Sequence, residues 1–282
     1  VSAARAGSGS SPRVSVITTV YNGEPYADRA IPDILAQSFE DFEFILIDDG
    51  SQDRTLEILN EVARRDSRVR VLTPGRVGFA AALNYGIARA RGEYIARQDF
   101  DDRSYPDRLR RQVALLDQQP GVGVVGTYYL LVDEHRGERY VRMPPTDHRE
   151  ILLAMARYIP IAHTMVTFRR QSWVDAGGYP EVNNLVDLRF WLQVAKKGWR
   201  FANVPEVLGE HFVHQTSFFH QAFRYAQRQR DLANAQAQII RELNLPRWMY
   251  AYTAGRYLYA YCPTPVKRVL RRTLGGSRER DL

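Results

Sequence analysis

An α/β fold with a mixed, mostly parallel central sheet flanked by helices is what this sequence predicts, and two observations predict it. Short β-branched runs alternate with helical stretches from residue 14 to residue 96, and 45% of the 282 residues are hydrophobic, enough to bury a core of that size. Parallel strands need a crossover, usually a helix, so strands alternating with helices imply a sheet covered on both faces. The single cysteine, Cys262, allows no intramolecular disulfide, which excludes a disulfide scaffold and suits a reducing compartment.

Val14 to Thr19 reads as the first strand because five of its six residues are β-branched. A helix falls within Pro25 to Gln37, and a second strand, Phe42 to Ile47, ends in a turn. A helix over Arg54 to Arg65, a strand at Val69 to Leu72, a helix over Gly78 to Ala90 and a strand at Glu93 to Ala96 complete the rhythm. After Pro106 it weakens. A helix near Asp107 to Asp117 precedes a longer apolar run, Val122 to Val132, and a polar hairpin-like stretch, His135 to Arg142, which together suggest a mixed sheet edge.

Phe218 to Leu243 reads as one long helix, its packing stripe running through Phe219, Phe223, Ala226, Ala233, Ala237 and Ile240 and interrupted by Arg230. The rest, to residue 282, is aromatic and then basic: Trp248, Tyr250, Tyr252, Tyr257, Tyr259 and Tyr261 precede Lys267, Arg268, Arg271 and Arg272. That composition fits an interfacial segment on an anionic membrane, and equally a helical hairpin with a solvated basic end. Residues 1–13 read as a flexible segment without a signal-peptide core, and no run of about 18 apolar residues occurs. The expected location is therefore cytoplasmic, with peripheral contact at the inner face of the cytoplasmic membrane through the tail. A net charge of +7 favours an anionic partner without choosing among nucleotide phosphates, lipid and nucleic acid.

Open α/β sheets bind ligands beyond the carboxyl ends of their strands, and carboxylates gather there. Phe42 to Ile47 runs into Asp48-Asp49-Gly50-Ser51, which serves as a helix-capping turn or as an acceptor of hydrogen bonds from a nucleotide's base or ribose. Glu93 to Ala96 runs into Arg97-Gln98-Asp99-Phe100-Asp101-Asp102. Three like charges at such range disfavour one another's ionisation unless a cation or basic groups compensate. Mg²⁺ takes one or two carboxylates and leaves the rest of its octahedron to water and phosphate, so Asp-x-Asp suffices when a diphosphate is bound; a solvated acidic loop is the plain alternative.

Taken together, Val16-Ile17-Thr18-Thr19-Val20-Tyr21-Asn22, Asp48-Asp49-Gly50-Ser51-Gln52-Asp53, Asn84-Tyr85-Gly86-Ile87, Arg91-Gly92-Glu93-Tyr94-Ile95 and Asp99-Phe100-Asp101-Asp102 resemble, in order and spacing, the motifs of glycosyltransferase family two. The resemblance continues through His163-Thr164-Met165-Val166-Thr167-Phe168-Arg169, Gly177-Gly178-Tyr179 and Val186-Asp187-Leu188-Arg189-Phe190-Trp191-Leu192, covering about residues 14 to 217. It implies a GT-A nucleotide-diphospho-sugar transferase fold with a nucleotide-sugar-binding half (14–106), an acceptor-binding half (107–217) and a C-terminal helical extension (218–282). Two departures stand out. Val186 replaces the family's usual glutamate beside the base, and Pro74-Gly75-Arg76-Val77-Gly78 lacks the usual asparagine.

By position, the resemblance implies that Thr18, Tyr21, Asp49 and Arg76 border the base, preferentially uracil, that Asp99 lies near ribose, and that Asp101 holds Mn²⁺ or Mg²⁺ on the diphosphate. Asp187 is the implied general base of an inverting transfer to a glycan or polyprenyl-linked acceptor, with no nucleic-acid partner expected. As a residue type alone, Asp187 also suits the positive end of an apolar helix. His214 is a candidate to complete the metal shell or touch the diphosphate, and His163 to line the acceptor pocket. Trp191 suits core packing, or stacking on an acceptor ring where exposed.

Two rival functions are distinguishable. A sugar-phosphate nucleotidyltransferase would carry a glycine-rich phosphate loop after the first strand, whereas Thr18 to Gly23 contains one glycine. A lapsed transferase, marked by Val186 and retained as a basic membrane- or nucleic-acid-binding protein, would bind with steep salt dependence and no need for metal.

Overall fold

The computed structural model describes residues 11–182, 184–214 and 225–262. Its first half is the predicted alternation: β1 (Val14–Val20), α1 (Ala27–Leu35), β2 (Phe42–Asp48), α2 (Thr55–Arg65), β3 (Val69–Leu72), α3 (Phe79–Ile87) and β4 (Tyr94–Arg97). All pairings among these strands are parallel, with β1 between β2 and β4 and β3 outside β2. Every residue of β2 is buried, as expected of a parallel strand covered on both faces. Successive residues divide between two cores: Ile17, Ile45, Ile47 and Ile95 face one side, and Val14, Val16, Phe44 and Leu46 the other. Each such side chain contributes roughly 1.5–3 kcal/mol on burial, so a one-residue slip of register would expose the whole set.

The second half comprises β5 (Arg103–Ser104), α4 (Arg108–Gln118), β6 (Val122–Asp133), β7 (Glu138–Arg142), α5 (His148–Met155), β8 (Thr167–Arg169), α6 (Arg170–Ala176), α7 (Val186–Lys196) and β9 (Arg200–Val213). Among the described residues the sheet has nine strands in the order β3-β2-β1-β4-β8-β6-β9-β5, with β7 on β6. Antiparallel β8 is the seam where parallel order ends. The mixed edge expected around Val122 to Arg142 is therefore corrected. β6 lies inside the sheet, paired with β9 on one side and with β8 and then β7 on the other. The partner that buries it, β9, escapes pattern reading because Pro205 interrupts it. The register jumps from Thr127↔Val204 to Tyr128↔Val207, so Pro205 and Glu206 form a bulge where the missing N–H breaks no ladder bond.

At the C-terminal end, α8 (Tyr225–Glu242) and α9 (Tyr250–Tyr261) form a helical hairpin. Ala233 and Ile240 of the predicted stripe are buried, together with Ala235, Gln236 and Ile239. Arg230 joins the two helices, its Nη1 donating to the Tyr261 hydroxyl at 2.7 Å. The hairpin is fixed to the rest of the chain by Lys196–Glu242 at 2.6 Å and by Asn184–Asp231 at 2.7 Å. Phe219, Phe223 and the basic run from Lys267 to Arg272 lie outside the described residues, as does most of the 1–13 segment. Among the described residues no helix is long and apolar enough to cross a membrane.

Candidate active site

The carboxyl ends of β1, β2 and β4 open onto a cavity of about 360 Å³ lined by Thr19, Tyr21, Tyr26, Asp49, Arg76, Phe79, Asp99 and Asp101, among others. Its first wall is a stack. The Asp49 carboxylate accepts from the backbone N–H groups of Val77 (2.8 Å) and Gly78 (3.0 Å) and from Arg76 Nη1 (3.0 Å). Gly78 can present its N–H there because its φ of 87° is open to glycine. The Arg76 guanidinium lies 3.4 Å from the centre of the Tyr21 ring, which is 43% exposed. Tyr21, Asp49 and Arg76 are thus brought together as the sequence implied. Thr18 is not. Its side chain is fully buried and the cavity is lined by Thr19 instead, because strand alternation points Thr18 to the same side as Val16.

The second wall is the loop after β4. Arg97 is 1% exposed and places Nη2 2.5 Å from Asp99 Oδ1, while its Nε and Nη1 have no hydrogen-bond partner among the described residues. Burial pushes the Asp99 pKa up, but the Arg97 charge, with its hydrogen bond, outweighs it and holds the group below the ordinary carboxylate range. Asp102 is fully buried and accepts from Phe212 N–H at 2.7 Å, with His211 Nδ1 at 2.9 Å. Burial acts against charge on His211, yet Asp102 carries its pKa up to about 9, so this histidine is a cation at neutral pH. Asp101 is different. Burial first, then Asp102 and Asp99, push its pKa up to about 7, and among the described residues no Arg or Lys forms an ion pair with it. Of the two compensations open to three like charges, a cation or basic groups, two carboxylates have the second within the protein and Asp101 is left open.

The end of β9 delivers His214 to that one. Its Nε2 lies 3.7 Å from Asp101 Oδ2, its Nδ1 2.8 Å from Glu134 Oε2, and its ring stacks on Phe212. Arg29 steadies the loop, donating to the Asp101 carbonyl at 2.6 Å while lying 4.3 Å over the Phe212 ring. Among the described residues no group of three or more His, Cys, Asp or Glu is arranged to hold a metal. Asp101, partly exposed in the cavity and short of a counter-charge, with His214 beside it, fits a cation whose remaining ligands come from a bound diphosphate and water.

Asp187 sits in the first turn of α7, introduced by Leu185 in a left-handed conformation (φ 52°). Burial raises its pKa to about 6, against the lowering effect of the Leu188 and Asp187 backbone N–H groups. Val186 packs its apolar side chain against the core instead of offering a second carboxylate. His163 Nε2 shares a 2.9 Å hydrogen bond with the Tyr179 hydroxyl. Burial, reinforced by Arg97, lowers the His163 pKa to about 3, so this histidine is neutral. Trp191 is not an acceptor platform: it is fully buried among His163, Phe168, Phe190 and Phe201.

Sequence reasoning missed Arg97, Arg29 and Tyr179 as parts of this site, and of the two late histidines, His211 and His214, it gave a role of its own only to His214. Arg97 and Tyr179 were signalled, since alternation puts Arg97 on the Ile95 face and Tyr179 follows two glycines. Asn84 clamps that turn, accepting from Tyr179 N–H (2.8 Å) and donating to its carbonyl (2.9 Å). Arg29 and His211 carry no local signal, because only the tertiary fold brings α1 and β9 to the loop.

Residues 15–178 match the model of Glycosyl transferase family 2. EpsE of Bacillus subtilis, named as a glycosyltransferase, is 35% identical over 262 residues, covering 91% of this chain and 92% of that protein. The amylovoran biosynthesis glycosyltransferase AmsE of Erwinia amylovora is 30% identical, over 69% of this chain and 74% of its own. Among solved structures, the mannosyltransferase PcManGT of Pyrobaculum calidifontis, in complex with GDP-Man and Mn²⁺, superposes with a TM-score of 0.65 at 21% identity, covering 96% of this chain and 82% of that one. TarS 1–349 of S. aureus with UDP-GlcNAc gives 0.64 at 17% identity, over 94% and 76%. The shared architecture is the GT-A fold.

Proposed function

The chain belongs to glycosyl transferase family 2, and from that premise we propose that it catalyses metal-assisted, inverting transfer of a sugar from a nucleotide sugar to a hydroxyl of a glycan or polyprenyl-linked acceptor. The observation that carries the reading is the singling out of Asp101, the one loop carboxylate without a compensating Arg97 or His211, in the same cavity as the Tyr21–Arg76–Asp49 stack. Relatives named for amylovoran and O-antigen synthesis support a role in building a surface polysaccharide. Such a task suits a cytoplasmic enzyme held at the inner face of the membrane.

In this reading the base of the donor packs on Tyr21 beside Arg76, with Asp49 accepting from its N–H edge and Asp99 from the ribose. UDP is the preferred carrier by family resemblance, although solved relatives of the same fold hold either GDP-Man or UDP-GlcNAc. Asp101 with His214 would hold a divalent cation, Mn²⁺ or Mg²⁺, which would supply Lewis-acid stabilisation of the diphosphate leaving group. Asp187 takes the proton from the acceptor hydroxyl as its oxygen bonds to the anomeric carbon and the bond from that carbon to the diphosphate oxygen breaks. A single base facing the leaving group inverts the configuration. Neutral His163, fixed by Tyr179, offers the acceptor a hydrogen-bonding partner without charge. Family membership and the retained Asp99, Asp101 and Asp187 favour this reading over a nucleotidyltransferase or a lapsed enzyme.

Calorimetric titration of UDP into the protein with and without Mn²⁺ tests it. Metal-dependent binding that Asp101→Ala removes, with the fold intact by circular dichroism, is expected. Equal binding by wild type and Asp101→Ala in Mn²⁺ would refute the metal assignment, and binding of no nucleoside diphosphate under either condition would refute the donor site.

A further inference from the structure

Among the described residues, four aromatic side chains line the cavity: Tyr21, Tyr26, Phe79 and Phe100. Three of them are already committed. The Tyr21 ring carries the Arg76 guanidinium, Tyr26 lies 5.4 Å from the His214 ring on the metal side, and Phe100 is only 6% exposed. Phe79 is the exception, with 43% of its surface exposed. A lone exposed phenylalanine on an open surface needs no explanation, whereas apolar rings in a cavity wall are what small molecules bind against.

The neighbours of Phe79 fix its ring and decide which part of it is open. Phe79 begins α3 directly after Gly78, whose N–H is bound to the Asp49 carboxylate at 3.0 Å. The Arg97 guanidinium lies over the ring, 5.2 Å from its centre, and the His163 ring meets it at 5.8 Å with 70° between the planes. Arg97 is 1% exposed, so the side of Phe79 turned toward it is closed, and the exposed surface belongs to the rest of the ring, in the cavity wall.

Its position carries the inference further. Through Gly78 the ring adjoins the Tyr21–Arg76–Asp49 stack, through Arg97 it adjoins Asp99, and through His163 it adjoins the Tyr179 hydroxyl. A transferred sugar has to lie between its nucleotide carrier and the acceptor, and Phe79 occupies that interval. A pyranose has hydroxyls around its rim and C–H groups on its faces. A flat, uncharged ring with a negative π-face suits such a C–H face, while Asp99 suits the rim.

We propose that Phe79 is the platform on which the C–H face of the transferred pyranose rests, a specificity-determining contact that favours a neutral sugar with an uninterrupted C–H patch over one that turns a carboxylate onto the ring. This rests on the nucleotide-sugar donor reading and deepens it.

The test compares nucleotide with nucleotide sugar on the same protein. UDP, GDP, UDP-glucose, UDP-GlcNAc and GDP-Man are titrated calorimetrically, each with Mn²⁺, into wild type and into Phe79→Ala, Phe79→Leu and Phe79→Tyr. Phe79→Ala should weaken the nucleotide sugar that wild type binds best by about tenfold, ring stacking and apolar contact being lost together, and leave its parent nucleoside diphosphate within about twofold. Phe79→Tyr should retain wild-type affinity, and Phe79→Leu, apolar but not flat, should fall between. In wild-type protein the Phe79 ring protons should show nuclear Overhauser contacts to the C–H protons of the bound sugar, a measurement that needs no variant. Equal weakening of nucleotide and nucleotide sugar by Phe79→Ala would reduce Phe79 to a support for the Gly78 turn, and an unaffected nucleotide sugar would remove it from the site; either overturns the proposal. A nucleoside diphosphate bound with no nucleotide sugar bound would overturn it and leave the nucleotide site standing, whereas binding of neither would condemn the donor reading itself.

Discussion

Replacing Asp187 by asparagine separates two roles that a carboxylate in the first turn of α7 can play. A positioned general base contributes about 10² to 10⁴ in rate, or roughly 3 to 5 kcal/mol of barrier, and kcat should fall by that factor with Mn²⁺ saturating. With a pKa of about 6, Asp187 is about nine-tenths ionised at pH 7 and one-tenth at pH 5, so wild-type kcat should drop about tenfold per unit below pH 6. Asp187→Asn should lose that limb. Stability moves the opposite way. The folded pKa is raised above the ordinary value of 3.8, so the stability this group contributes is fully present below about pH 3.8 and is lost as pH rises through about 6. A shift of about two units corresponds to about 3 kcal/mol at most, and the partial exposure of Asp187 discounts it to roughly 1 to 2. At pH 7.5 the asparagine variant should therefore melt a few degrees higher than wild type. A carboxylate serving only the helix end would give the reverse, a loss of about 0.3–1 kcal/mol, with activity and acid limb preserved. Calorimetry and an initial-rate pH profile on the same two proteins decide the matter: a lower melting temperature with an unchanged profile refutes the base assignment.

Two further substitutions probe the loop. Arg97→Met keeps most of the stem volume but strips Asp99 of its 2.5 Å partner, which should cost about 1 to 3 kcal/mol in urea unfolding and weaken nucleotide binding; an unchanged midpoint would show that the pair contributes nothing net. Gly23→Ala would place a Cβ 2.5 Å from Val20 Cγ1 and 2.7 Å from Phe100 Cδ1, so Phe100, between Asp99 and Asp101, must shift. A loss of about 1 to 3 kcal/mol with a raised KM for the donor is expected, and wild-type stability and KM would contradict the close packing of the β1 turn against the loop after β4.

The first half of the fold was legible because each of its elements carries a local signal: β1 is rich in β-branched residues, β2 in large apolar ones, and their helices carry apolar stripes. The second half was less so for definite reasons. β8 is three residues long, too short for any period, and β9 hides behind Pro205 and its bulge. For the site, aspartates at strand ends were readable since their positions follow from topology. Which of them is open was not. Asp99, Asp101 and Asp102 look alike in a line of text, and only the approach of His211 from β9 and the inward turn of Arg97 on β4 distinguish them. Trp191 shows the converse, because its motif position suggested a ligand contact while its place on the inner face of α7 gave it to the core.

Internal compensation of Asp99 and Asp102 has a consequence for the order of binding. A site with three free carboxylates would take a divalent cation without help, whereas Asp101 and His214 offer two protein ligands, one of them protonated in part at neutral pH. Cation and nucleoside diphosphate should therefore each bind weakly alone and tightly together, and because coupling is reciprocal, the factor by which Mn²⁺ tightens UDP must equal that by which UDP tightens Mn²⁺. A coupling of about 1–3 kcal/mol, or roughly 5- to 150-fold, is the usual range. Titrating Mn²⁺ with and without saturating UDP, and UDP with and without saturating Mn²⁺, measures both arms. Tight Mn²⁺ binding to the free protein would mean that Asp99 or Asp102 gives up its internal partner to the metal, and Arg97→Met would then strengthen metal binding instead of leaving it unchanged.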